Sequence, residues 1–196
     1  MNQTTKKTSN SNLKIATVDL TLIALFASLG IATKNIAHPL VGPIIGSLDI
    51  PTGGVIGGLY MMWPVMAYGL IQKPGAATAT SLVQAFIALL MPFGNFGPLN
   101  FPIYLAPGLA IDGFFLLTRH KACCAACCVG ASAIANAVGT FFVGILSMRI
   151  FLVGISSLSL VALTFLVVVA TISGGIGGFF ANIILFRVGK LKFGGK

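Results

Sequence analysis

The stretch GLAIDGFFLLTRHK, residues 108–121, is an apolar run that ends in Arg119, His120 and Lys121 and carries one carboxylate, Asp112, inside it. An apolar run closed by basic residues reads as a helix leaving a bilayer on the side where positive charge collects. The rest of the chain repeats that pattern. Of its 196 residues, 57% are hydrophobic and 8% charged, and the mean hydropathy is +1.01. A soluble domain carries about 25% charged residues, so the composition describes an integral membrane protein.

Apolar runs fall at about 16–33, 53–72, 75–92, 102–118, 122–148 and 158–186. Hydrocarbon cannot satisfy free backbone groups, so each run is expected to be helical. Alternating polarity, which a barrel would need, is absent. The expected fold is all-α: one bundle of six transmembrane helices over residues 15–186, with no internal repeat. A disordered polar tail over 1–14 and a basic tail over 187–196 flank it. The head does not read as a cleaved signal peptide, because the apolar run behind it is too long for a signal core.

Net charge is +9, but no basic stripe with interleaved aromatics points to nucleic acid. The charges instead sit at the ends of apolar runs. With six spans, Lys34 and Arg149 fall on one side, and every other Lys and Arg falls on the other with the two termini. That bias makes both termini cytoplasmic. The cytoplasmic turns are tight, QKPGA (72–76) and TRHKA (118–122). The external connections, KNIAHPLVGPIIGSLDIPTGG (34–54) and MPFGNFGPLNFP (91–102), are longer and apolar. Connections of that kind cover or line a cavity, which puts the working face outside.

Ala24, Ser28 and Ala32 recur at four-residue spacing on the first span and form a smooth face that lets another helix approach closely. Internal packing and an external partner are both open for it. Gly174 and Gly178 on the last span, also four apart, read as internal packing. The cluster CCAACC, Cys123 to Cys128, begins a span on the reducing side and reads as small packing residues, since a zinc site needs further ligands. His38 and His120 fall in connections on opposite sides. No catalytic pair and no phosphate loop are present, because GGVIGG and GGIGG lack a following Lys. An enzyme is not expected, and neither a cofactor nor a metal is implied.

Asp112 is the residue the composition does not explain. A carboxylate inside a span costs about 2.5–3.5 kcal/mol on insertion scales, and such groups mark a ligand path or a buried hydrogen bond. No Lys or Arg shares its depth, so it is expected to face a cationic or amine-bearing ligand. Pro107 and Gly108 are expected to break the helix and bring its positive end near Asp112. Tyr60, Trp63 and Tyr104 could stack on a flat ligand, although Trp and Tyr also mark membrane interfaces. The alternative for Asp112 is a structural hydrogen bond to Asn136, Asn182 or a Thr, and Asn136 is also a candidate ligand contact.

The six spans, the small-residue first helix and the stretches QKPGAATATSLVQAFIALL (72–90) and PGLAIDGFFLLTRHK (107–121) resemble the substrate-binding S component of energy-coupling factor (ECF) vitamin transporters of the YkoE type. The resemblance implies capture of a vitamin or precursor from outside, with thiamine or its hydroxymethylpyrimidine precursor favoured. It also implies delivery inward with a transmembrane coupling subunit and two ATPases. Asp112 falls where that family carries a glutamate. Ser81 stands where a second acid is expected, with Gln84 one turn on as a polar substitute. The docking motif would fall on Ala24, Ser28 and Ala32. Another small heterocycle as ligand, or an assembly subunit without one, are the alternatives.

The topology is tested by cysteine labelling in intact cells. Labels near residues 45, 97 and 153 are expected to react from outside and labels near 73, 120 and 192 only after permeabilisation. An externally labelled C-terminus would overturn the charge argument.

Overall fold

The computed structural model describes residues 16–46, 52–91, 100–118, 124–151 and 160–193. Six helices follow one another: α1 Thr17–Gly46, α2 Thr52–Ile71, α3 Ala76–Leu90, α4 Asn100–Thr118, α5 Ala125–Phe151 and α6 Leu160–Phe193. Five are long and apolar enough to cross a membrane, and α3, with 15 residues, is the shorter one. Large apolar side chains such as Leu90, Leu117, Ile172 and Phe186 point outward. Water would not tolerate such a surface, whereas lipid does.

The boundaries depart from expectation in two places. The first helix does not stop near residue 33 but continues to Gly46 through Pro39 and Pro43, taking Lys34 and His38 out of the expected loop and into a helix. Prolines read as breakers in sequence, but membrane helices absorb them when nearby groups take up the freed carbonyls. At the other end, α6 runs past 186 and carries Arg187, Lys190 and Lys192 of the expected tail as helix. The expected tail at 1–14 and residues 119–123, including Arg119, His120, Lys121 and Cys123, lie outside the described residues.

Successive helices alternate in direction, and α2 lies at the centre. It packs against α1, α3, α5 and α6 and touches α4, so its span is the most deeply buried. Glycines let the backbones meet. A Cβ on Gly58 would lie 1.9 Å from the Ser173 carbonyl oxygen, and one on Gly177 would lie 1.9 Å from the Gly58 oxygen. Ser173 fills the seam by donating its hydroxyl to the Val55 carbonyl and accepting from the Gly58 N–H at 3.3 Å. Gly174 and Gly178 bring α6 onto the α5 backbone at Ser132 and Cys128, the internal packing the sequence suggests.

The end carrying the termini is tied by carboxylates. Asp19 accepts from the Ala16 N–H at 2.9 Å, which satisfies a free amide at the start of α1, and it pairs with Lys73 at 2.5 Å in the α2–α3 turn. That turn places Gln72 and Gly75 at positive φ, 52° and 90°. Asp112 does the equivalent for α3. Its Oδ2 accepts from the Thr78 N–H at 2.7 Å and from the Thr78 hydroxyl. Asp112 thus makes the hydrogen bond to a Thr that the sequence holds open as its alternative, while its Oδ1 has no partner. A helix N-terminus does face it, but it is that of α3, since α4 runs unbroken through Pro107. The cysteines need a correction too. Cys124 and Cys127 are joined by a disulfide across the first turn of α5, and Cys128 is buried.

The cap is tested by thermal unfolding of purified protein. Asp112→Ala leaves the half-buried Thr78 amide and hydroxyl without their acceptor and should cost about 1–3 kcal/mol, read as a lower melting temperature. Asp112→Asn, which keeps one acceptor oxygen, should lose less. Unchanged melting in both would remove Asp112 from the fold's supports.

Candidate functional site

The two halves of the bundle are filled differently. Near the termini a broad apolar core joins Phe26, Val65, Ile111, Phe115 and Ala131, with Tyr68 stacked on Phe115 at 4.2 Å between centroids. Toward the opposite end, the far end, the apolar core shrinks to Ile31, Ala85, Ala88 and Tyr104. Polar and aromatic side chains from α1, α2, α3 and α4 gather beside it.

Three α1 residues at helical spacing, Gly30, Thr33 and Lys34, face this cluster together. Lys34 donates to the Tyr104 hydroxyl at 2.6 Å. Its ammonium lies 4.8 Å from the Tyr104 ring centroid and 6.0 Å from that of Tyr60, within cation–π range. Thr33 accepts from the Trp63 indole N–H at 2.9 Å and passes its own hydroxyl to the Leu29 carbonyl at 2.8 Å. Gly30 makes room for the Gln84 carboxamide: a Cβ there would lie 2.0 Å from Gln84 Nε2 and 3.5 Å from Trp63 Cδ1. Gln84 is 2% exposed, and its Nε2 has no hydrogen-bond partner. A buried donor left unpaired costs about 1–3 kcal/mol; Asp112 Oδ1 and Ser132 Oγ are likewise buried without a partner, but away from this cluster.

Of the residues singled out in the sequence, the structure thus brings Tyr60, Trp63, Gln84 and Tyr104 together. Asp112 lies elsewhere, about 12 Å from Tyr104 along α4 at helical rise, in the α3–α4 seam near the termini. Ser81 is buried in the same seam, where a Cβ on Gly108 would lie 2.6 Å from its hydroxyl. Asn136 ties α5 to its neighbours, donating to the Gly54 carbonyl at 3.1 Å and the Ala170 carbonyl at 2.8 Å. Sequence reasoning missed Lys34 and Thr33. The signal was a lysine inside a continuous apolar stretch, hidden by the prolines that made the stretch read as a loop. Ala24, Ser28 and Ala32 all face outward. Among the described residues, no group of three or more His, Cys, Asp or Glu side chains gathers to hold a metal.

Known proteins bear on this arrangement. A solved structure described as the crystal structure of an S-component of an ECF transporter shares the fold, with a TM-score of 0.61 at 19% sequence identity over 89% of this chain and 86% of that one. No curated protein matches. The family model for the permease component of the ABC-type cobalt transport system matches residues 16–139. That match spans more than half of a multi-pass chain, and the protein belongs to this transport permease family.

Proposed function

We propose that the chain is the substrate-binding subunit of an ECF-type importer. It takes a small vitamin or vitamin precursor from outside and hands it inward with a transmembrane coupling subunit and two ATPases. The observation that carries this reading is the far-end cluster. It places aromatic faces, an ammonium and an unpartnered buried amide where a soluble-side ligand enters, on a fold like that of an S component. By the charge bias of the sequence, this far end is external and both termini are cytoplasmic. The ligand-contacting residues are Tyr60, Trp63, Gln84 and Tyr104, joined by Lys34. Asp112, Ser81 and Asn136 support them from the bundle. Thiamine and hydroxymethylpyrimidine, which the resemblance implies, are the first compounds to test. The family description names cobalt transport, but the cluster is built from aromatic, amide and ammonium groups, which suit an organic molecule better than a metal cargo.

The outward face of Ala24, Ser28 and Ala32 supports docking of the coupling subunit. Bilayer helices associate by close packing rather than by hydrophobic exclusion, so small side chains are what such a contact needs. Tagged chain isolated from native membranes should bring the coupling subunit and both ATPases with it. Ser28→Trp and Ala32→Leu should lose them while melting normally. Retention of all three subunits in both variants would move docking elsewhere, and their absence from wild-type preparations would sink the importer reading.

Gln84 gives a second test. Gln84→Leu removes the unpaired donor, so melting should rise by the equivalent of about 1 kcal/mol or more while ligand binding weakens. A variant both less stable and unimpaired in binding would make Gln84 a packing residue.

A further inference from the structure

Within the proposed importer site, on which this inference rests, the unsatisfied groups share one polarity. An ammonium has three N–H donors, and Lys34 gives one of them to the Tyr104 hydroxyl. Gln84 Nε2 is a second donor with no acceptor. The Trp63 N–H and the Thr33 hydroxyl, by contrast, are already engaged. Among the described residues no carboxylate forms an ion pair with Lys34. Asp19 is paired with Lys73, and Asp112 is held at Thr78 near the termini. The chain's remaining acid, Asp49, lies outside the described residues. Lys34 also lies deep, about 18 Å from the end of α1 at Gly46 at helical rise. An ionisable group at that depth faces a pathway or a partner as a rule.

The geometry points to an anionic ligand: a small organic acid whose carboxylate or equivalent oxyanion is taken by Lys34 and the Gln84 amide, and whose flat body lies against Tyr60, Trp63 and Tyr104. A cationic heterocycle would meet the Lys34 charge at the same place, while Asp112, whose Oδ2 accepts from Thr78 and whose Oδ1 has no partner, lies about 12 Å away along α4. Charge-assisted hydrogen bonds to an oxyanion are about twice as strong as neutral ones. Both donors would then be satisfied only in the loaded state, which lets the apo site stay open to exchange.

The test uses the full chain in lipid nanodiscs. Trp63 is its single tryptophan, so indole emission reports on this site alone. The probe is the small-molecule extract released by denaturing protein purified from cells, split at pH 7 on an anion exchanger into retained and unretained fractions. The retained fraction is expected to shift Trp63 emission in ligand-stripped protein. Lys34→Gln should weaken that response by about tenfold or more, the scale of a lost charged hydrogen bond, and Lys34→Arg should recover most of it. If the activity sits in the unretained fraction, or if thiamine or hydroxymethylpyrimidine shifts the emission equally in wild type and Lys34→Gln, the anionic assignment is overturned and the importer reading stands. An active retained fraction that Lys34→Gln and Lys34→Met both bind as wild type also overturns it. If no fraction or compound moves the emission of wild-type protein, the importer reading itself fails and takes the inference with it.

Discussion

A bilayer interior offers nothing to hydrogen-bond with, and this constraint orders the molecule. It forces every spanning segment into a helix and makes each buried polar side chain answerable to a partner within the bundle. Most of them comply. Asn136 spends its amide on two carbonyls of neighbouring helices, Ser173 closes the α2–α6 seam, and several Ser and Thr hydroxyls fold back on their own helix. Against that background, an amide with no partner at Gln84 and an ammonium with no carboxylate among the described residues stand out as chemistry reserved for something else.

The same constraint separates the charges. The two described carboxylates lie toward the termini, where helix N-termini and Lys73 receive them. The deep lysine lies toward the far end, among tyrosines. Opposite charges that would have neutralised one another in a compact soluble core are instead held apart, Lys34 on α1 and Asp112 on α4.

Much of this was legible before any coordinates. Hydropathy gave six segments because lipid imposes length and apolarity together. Tyr60, Trp63 and Tyr104 could be named as stacking candidates from the sequence, and Gln84 from the family resemblance. Three readings went astray for identifiable reasons. Pro39 and Pro43 masked the continuation of α1 and with it the depth of Lys34. Pro107 read as a break in α4 because sequence shows a breaker but not the start of the neighbouring helix that meets Asp112. Cys124 and Cys127 looked like packing because compartment was weighed above the one-turn spacing that brings their sulfurs together. In each case the missing information was a contact between helices, which periodicity does not encode.

The glycine seams have a consequence for how this family diverges. Lipid does not distinguish one aliphatic side chain from another, so outward positions such as Leu90, Leu117 and Ile172 are free to drift. No side chain of any kind fits at Gly58 or Gly177 while the α2 and α6 backbones touch, and Gly174 and Gly178 are nearly as confined. Divergence in such a molecule is uneven. Fold likeness at 19% identity is what lipid-facing positions free to change and a few confined interior glycines would leave behind. Those glycines are therefore the positions on which to register this chain against distant relatives.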